Sequence, residues 1–214
     1  MNGARDFRLN RVLSGSLTAF LLKLPLTPNH ITAMSLLAGL GAGFLFARGT
    51  AAASIAGALC YQLACVLDNC DGEVARAKNL RSEFGGWFDI AADFTADVSL
   101  FSGVAYGARR AADSRAAEIL LGLCLAGAVL HLGFVVWEKK RGFGPAVYEA
   151  PNARSKESDN AWLRFFDALR EGDASWIVLL FALIGQMPLF LWLAAFYMQF
   201  LWLSAFAMNR RFLR

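Results

Sequence analysis

From Ile31 onward the chain is a succession of apolar runs, several near twenty residues long, separated by short polar breaks. A helix rises 1.5 Å per residue, so a run of about twenty residues crosses the roughly 30 Å hydrocarbon core of a bilayer. No other feature restricts the fold as much, because a segment surrounded by lipid must satisfy its own backbone hydrogen bonds. Composition agrees. Of 214 residues 57% are hydrophobic and 18% charged, where a soluble domain carries about 45–50% apolar and 25% charged residues. The expected fold is an all-α integral membrane protein, with about six transmembrane helices preceded by an N-terminal amphipathic surface helix.

Residues 1–26 read as that surface helix, with Leu9, Val12, Leu13, Leu17, Phe20, Leu21 and Leu24 near helical spacing. The basic start suggests a signal peptide, but Lys23 and Pro25 break the apolar stretch and no small-residue cleavage site follows, so no cleavable signal is expected. Thr27 as N-cap and Pro28 at the first helical position open the next helix. Spans are expected at about 31–47, from 51 into a group of acids, at 86–107, 116–137, 174–187 and 189–208. Arg48, Gly49 and Thr50 form a turn, and Pro188 breaks the chain between the last two spans. The fifth span is short for a full crossing. Residues 139–173 read as a cytoplasmic loop with an amphipathic piece, inside a single domain spanning 1–214.

Lys and Arg set the orientation. If the N-terminus is inside, 17 of the 21 basic residues fall on the inner side, leaving Arg48, Arg109, Arg110 and Arg115 outside. That bias places both termini and the acidic segment in the cytoplasm. The net charge of +4 comes from residues flanking apolar spans, so anionic lipid headgroups, not nucleic acid, are the expected partner. Cys60, Cys65, Cys70 and Cys124 form no CxxC pair and share no helix face. With only His30 and His131 available, they read as reduced apolar fillers, not zinc ligands.

Against this apolar background, residues 67–98 carry Asp68, Asp71, Asp89, Asp93 and Asp97. A carboxylate near the bilayer centre costs about 2.5–3.5 kcal/mol, so a spaced set implies a cavity and a task. Asp68 and Asp71 are three apart and Asp89 and Asp93 four apart, so each pair shares a helix face. Two adjacent antiparallel helices can bring both pairs to one point. Two divalent cations would balance four carboxylates, and oxygen-only ligands favour Mg²⁺ or Mn²⁺. Paired metals suit in-line displacement at phosphorus. Gly72, Gly85 and Ala75 keep room for a ligand or a second helix, Arg76 offers a planar fork to phosphate oxygens, and Lys78 and Arg81 read as headgroup anchors. A carboxylate not committed to metal can accept the proton of an attacking hydroxyl.

The run from Asp68 to Asp93 reads D-x2-D-G-x2-A-R-x8-G-x3-D-x3-D, with Asp68, Asp71, Gly72, Ala75, Arg76, Gly85, Asp89 and Asp93 at the fixed positions. It resembles the signature of the CDP-alcohol phosphotransferase family (CDP-alcohol phosphatidyltransferases). The six-span plan with an N-terminal surface helix extends the likeness over the chain. The resemblance implies transfer of a substituted phosphate from a CDP-linked donor to an alcohol, with release of CMP. It implies that Asp68, Asp71 and Asp89 hold the metals, that Asp93 joins them and acts as general base, and that Gly72, Ala75, Arg76 and Gly85 border the CDP group. It also implies a homodimer.

Outside the signature, Asp97 continues the Asp89–Asp93 stripe, as a hydrogen-bond acceptor behind the site or a contact within the bundle. Asn29 and Thr32 either touch the nucleotide or serve capping and helix packing. Lys139, Lys140, Arg141, Lys156, Arg164 and Arg170 are candidates for a phosphate-bearing acceptor or simple anchors. Arg170 stands out because it precedes a span whose N-terminus also attracts anions. His131 reads as structural, and Trp192, Phe196, Tyr197, Phe200 and Trp202 as lipid-facing or interfacial. The leading reading is an inner (plasma) membrane enzyme of phospholipid biosynthesis that uses CDP-diacylglycerol and a small polar alcohol, phosphorylated or not. The signature is equally compatible with a CDP-linked headgroup donated to a lipid alcohol, or with two soluble partners. An ion- or proton-coupled transporter would spread ionisable residues along several spans, whereas here they cluster at one end.

Overall fold

A computed structural model describes residues 9–112, 115–140 and 174–209. Among them are seven helices and no strand: α1 (Leu9–Leu21), α2 (Pro28–Phe46), α3 (Ala51–Ala77), α4 (Glu83–Ala112), α5 (Arg115–Lys140), α6 (Ala174–Leu183) and α7 (Met187–Asn209). The architecture is the expected all-α membrane protein, one leading helix and six more. Four helices are long and apolar enough to cross a bilayer by length and composition, at Pro28–Phe46, Ala51–Ala77, Arg115–Trp137 and Met187–Ser204. α4 has the length but carries Asp89, Asp93, Asp97, Arg109 and Arg110. α6, at 10 residues, is too short to cross alone. Large apolar side chains such as Leu37, Phe44 and Ile119 are about two-thirds exposed, as lipid-facing positions must be.

The helix starts follow the sequence signals. Pro28 opens α2 after an extended Thr27, whose amide donates to His30 Nδ1 at 3.3 Å. Thr50 Oγ1 accepts from the Ala53 amide at 3.3 Å and caps α3. α3 ends on Asn79, whose φ of 53° lets the Leu80 amide reach back to the Ala75 carbonyl at 3.0 Å. Asn tolerates this left-handed geometry better than most residues. Ser82 then caps α4, its Oγ accepting from the Gly85 amide at 3.0 Å. The break between α6 and α7 differs from expectation. It is made by Gly185, with φ of 69° and the Gln186 amide bonded to the Phe181 carbonyl at 2.9 Å. Pro188 sits in the first turn of α7, where its missing N–H costs nothing.

The chain divides into two compact units, Met1–Gly122 with Asp173–Leu193, and Leu123–Gly172 with Ala194–Arg214. In the first, α2 packs broadly against both α3 and α4, while α1 and α6 pack on α3. α2 and α4 meet along a seam of small residues. A Cβ on Gly39 would lie 2.6 Å from Ala96 Cβ, and one on Gly103 would overlap the Gly43 carbonyl. Such close backbone approach is the usual way helices associate where lipid supplies no hydrophobic drive. Along the C-terminal half of α3, Leu21, Ile31, Val66, Leu67, Cys70 and Val74 form an apolar cluster.

α1 is turned opposite to a soluble amphipathic helix. Its buried positions are Asn10, Ser14, Thr18 and Leu21, while Val12, Leu13 and Phe20 face outward. In the second unit α5 and α7 touch at Gly127 against Met198, and Gln199 Nε2 donates to the Leu123 carbonyl at 2.7 Å. His131 on α5 belongs to this unit and is half-buried. Trp192 and Phe196 are exposed on α7, as expected of a lipid-facing surface. All four cysteines are free thiols, Cys70 and Cys124 buried.

Candidate active site

Asp68 and Asp71 lie near the C-terminal end of α3 and Asp89 near the start of α4, across the short turn centred on Asn79. Each of the three offers a carboxylate oxygen within 4.8 Å of the other two. Asp71 is buried, at 6% exposure, and Asp68 and Asp89 are half-buried. Asp93, one turn on from Asp89, faces Asp68 from the more open side. The helical spacings thus bring both pairs together. α2 packs against both of the acid-bearing helices, α3 and α4.

α2 also reaches into the site. Thr32 is buried and its hydroxyl bonds Asp71 Oδ2 while lying 3.2 Å from the Pro28 carbonyl. Of the two roles open to Thr32, the structure therefore shows a third, direct support of an acid of the cluster. Asn29 Oδ1 stands where a Cβ on Gly85 would come within 3.1 Å of it. A side chain at position 85 would therefore need Asn29 or Ser82 to shift. A Cβ on Gly72 would lie 3.4 Å from the Arg76 guanidinium, so the exposed Arg76 side chain lies against the bare backbone at Gly72. Ala75 is half-buried on the same helix end.

Deeper along the bundle, Tyr61 Oη donates to Asp97 Oδ1 at 2.9 Å. Asp97 is thus a contact within the bundle, partnered by α3. Lys78 departs from its expected role as headgroup anchor. Its Nζ donates to the carbonyls of Leu24 and Leu26, both at 2.9 Å, and ties the α1–α2 connection to the end of α3. Arg81 is exposed, as an anchor would be. Arg141, Lys156, Arg164 and Arg170 lie outside the described residues, as do the side chain of Lys139 and the whole amphipathic piece within 139–173.

Glu73 was not singled out by the sequence. Its carboxylate accepts from Ser14 at 2.8 Å and from Thr18 at 2.6 Å. The available signal was the polar i, i+4, i+8 series Asn10, Ser14, Thr18, overlooked beside the apolar series of the same helix.

The cluster fits a divalent metal. Ligand oxygens on one Mg²⁺, each 2.0–2.1 Å from it, lie roughly 3–4 Å apart, and the separation of 4.8 Å or less is close to that. The set is all carboxylate, which suits hard cations over zinc or copper.

Fold and site together describe an all-helical membrane protein with a carboxylate cluster that could hold a metal ion, and the comparisons identify the family. Residues 25–211 match the CDP-alcohol phosphatidyltransferase family, and the chain belongs to that family. It is 45% identical over 89 residues to a bifunctional IPC transferase and DIPP synthase of Rubrobacter xylanophilus, covering 41% of this chain and 20% of that protein. A protein of the same description from Thermococcus kodakarensis is 34% identical over 98 residues, covering 46% of this chain and 22% of its own length. The match thus spans about a fifth of those relatives. Among solved structures, Mycobacterium tuberculosis phosphatidylinositol phosphate synthase (PgsA1) in apo form superposes with a TM-score of 0.56 at 21% identity, covering 89% of this chain and 94% of that one. That likeness concerns the fold.

Proposed function

We propose that the chain transfers a phosphatidyl group from CDP-diacylglycerol to the hydroxyl of a small polar alcohol, phosphorylated or not, releasing CMP in phospholipid biosynthesis. The observation that carries this reading is the oxygen-only trio Asp68, Asp71 and Asp89, with Gly72 and the Arg76 guanidinium on the same helix end. Family membership supplies the CDP-linked donor. The donor's lipid tail rests on the exposed apolar faces around the site, which suit a substrate delivered from the bilayer.

In this reading Asp68, Asp71 and Asp89, with Asp93, hold two Mg²⁺ or Mn²⁺ ions. When bound, such ions neutralise pyrophosphate charge and stabilise the leaving phosphate of CMP. Thr32 holds Asp71 in its ligating orientation. Gly72, Ala75 and Gly85 leave space for the CDP group, and Arg76 supplies two parallel N–H donors to a phosphate oxygen pair. Asp93, on the open side of the cluster, accepts the proton of the acceptor hydroxyl. That oxygen bonds to the phosphorus carrying diacylglycerol, and the bond from this phosphorus to the CMP oxygen breaks. Arg170 is proposed to meet a phosphate on the acceptor.

The chain from 1 to 214 is proposed to form one such domain, homodimeric, in the cell inner (plasma) membrane, with both termini and the site cytoplasmic. The excess of Lys and Arg on that side, 17 of 21 in the sequence, supports that orientation. The test is CMP release by purified protein with Mg²⁺ or Mn²⁺. CDP-diacylglycerol and CDP-linked headgroups are supplied separately, each with a panel of alcohols. CMP formed only with CDP-diacylglycerol and one polar alcohol is the expected result. CMP formed only with a CDP-linked headgroup and a lipid alcohol would reverse the donor assignment. Absence of both release and nucleotide binding would favour the transporter.

A further inference from the structure

Glu73 occupies an unfixed position of the motif, yet it lies one residue from Gly72 and two from Asp71. On a helix turning 100° per residue it projects about 160° away from Asp71, so it cannot share that acid's task. Its two oxygens receive the hydroxyls of Ser14 and Thr18, one turn apart on α1. The same stripe of α1 continues to Asn10, which donates to Ser175 Oγ at 2.9 Å and accepts from Gln62 and from Trp176 Nε1, the latter at 3.1 Å. Cys70 Sγ lies 3.6 Å from the Ser14 carbonyl. The outward residues Val12, Leu13 and Phe20 are apolar. At its last turn α1 packs Leu21 into the apolar cluster on α3, while along the Asn10–Ser14–Thr18 stripe hydrogen bonds fix how it sits.

The last turns of α3 are therefore gripped from two sides, by Thr32 of α2 on Asp71 and by Ser14 and Thr18 of α1 on Glu73. A rotation of ten degrees about the α3 axis would carry a carboxylate oxygen about 6 Å from that axis through about 1 Å, an error of the size that disables an active site. We infer that Glu73 is a positioning residue, and that α1 is a strap which sets the rotation of the metal-binding end of α3 through Ser14 and Thr18. The inference rests on the reading of Asp68, Asp71 and Asp89 as metal ligands.

The test uses the full chain in lipid nanodiscs. Mn²⁺ binding is followed by the electron paramagnetic resonance of free Mn²⁺, and CMP release gives the donor KM and kcat. The variants are Glu73→Ala, Glu73→Gln, Ser14→Ala with Thr18→Val, and all three positions together (E73A, S14A, T18V). Gln still offers polar atoms to both hydroxyls and should stay close to wild type. Glu73→Ala and the α1 double variant should each weaken Mn²⁺ binding and raise the donor KM by about tenfold, the scale of lost hydrogen bonds. The triple variant should be no worse than Glu73→Ala alone, because the same contact is lost. If Glu73→Ala does not fold, the α1 double variant, which leaves α3 untouched, carries the test. Wild-type Mn²⁺ affinity and KM in folded variants would overturn the inference, as would a Glu73→Gln variant as impaired as Glu73→Ala. Failure of the wild-type protein to bind Mn²⁺ would instead remove the metal reading beneath it.

Discussion

Asp93 differs from its neighbours by position: it faces Asp68 but stands outside the trio of mutually close oxygens and on the open side. Asp93→Asn is nearly isosteric and removes the proton acceptor. Nucleotide binding should persist, and Mn²⁺ should still bind because the introduced amide keeps one carbonyl oxygen as a ligand, while kcat falls by roughly 10²–10⁴, the range of general base catalysis; a near-normal kcat would exclude Asp93 as the base. Thr32→Val tests the support of Asp71. It keeps shape and removes one hydroxyl bonded to a buried carboxylate, worth about 1.5–3 kcal/mol when the acceptor is charged. Mn²⁺ affinity should fall at least tenfold, and an unchanged titration would make that hydrogen bond incidental. The acids were legible in the sequence because three- and four-residue spacings map directly onto one helix face. Thr32 was legible only as a polar residue near the N-terminal end of a span. Its partner lies 39 residues away, and no local pattern encodes that distance.

Among the elements, the helix limits were largely readable, since caps and breakers act within a turn. α2 begins at Pro28 and α3 one residue after Thr50, as expected. Pro188 misled because it is the more conspicuous breaker, although Gly185, with its positive φ, ends α6 and Pro188 only begins α7. α1 misled more deeply. Its apolar series predicts a surface helix, and the helix exists. Which face docks depends on what surrounds it, and beside lipid the polar stripe turns inward. Lys78 escaped for the same reason as Thr32: the carbonyls it binds at Leu24 and Leu26 lie more than fifty residues away. The α2–α4 seam gives a further prediction. A Cβ at Gly103 would strike the Gly43 backbone, so Gly103→Ala must push the two helices apart, at about 1–3 kcal/mol for overpacking. The melting temperature in detergent should drop by several degrees, and an unchanged value would show the crossing to be looser than described.

At the scale of the molecule, basic residues divide between two ends of the bundle. Arg76, Lys78 and Arg81 accompany the site, while Arg48, Arg109 and Arg110 gather at the other end, where Arg109 pairs with Glu118. With the four native cysteines replaced, a cysteine at Asn79 should react with a membrane-impermeant maleimide only in inverted vesicles. One at Arg110 should react only in right-side-out vesicles. The reverse pattern would put the site on the outer face. The seam has a bearing on this setting too. α2 is clamped between α3 and α4 by glycines on both sides, Gly57 of α3 meeting Ala42, Leu45 and Phe46, and Gly39 and Gly43 of α2 meeting Ala96 and Ser99 of α4. These contacts bring the backbone of α2 against both of its neighbours and leave little slack along either seam. A bilayer a few ångströms thicker or thinner can tilt such a bundle but has little leverage on how closely α2 sits against α3 and α4. An organism that remodels its acyl chains with temperature would keep these three helices in register while its membrane changes around them.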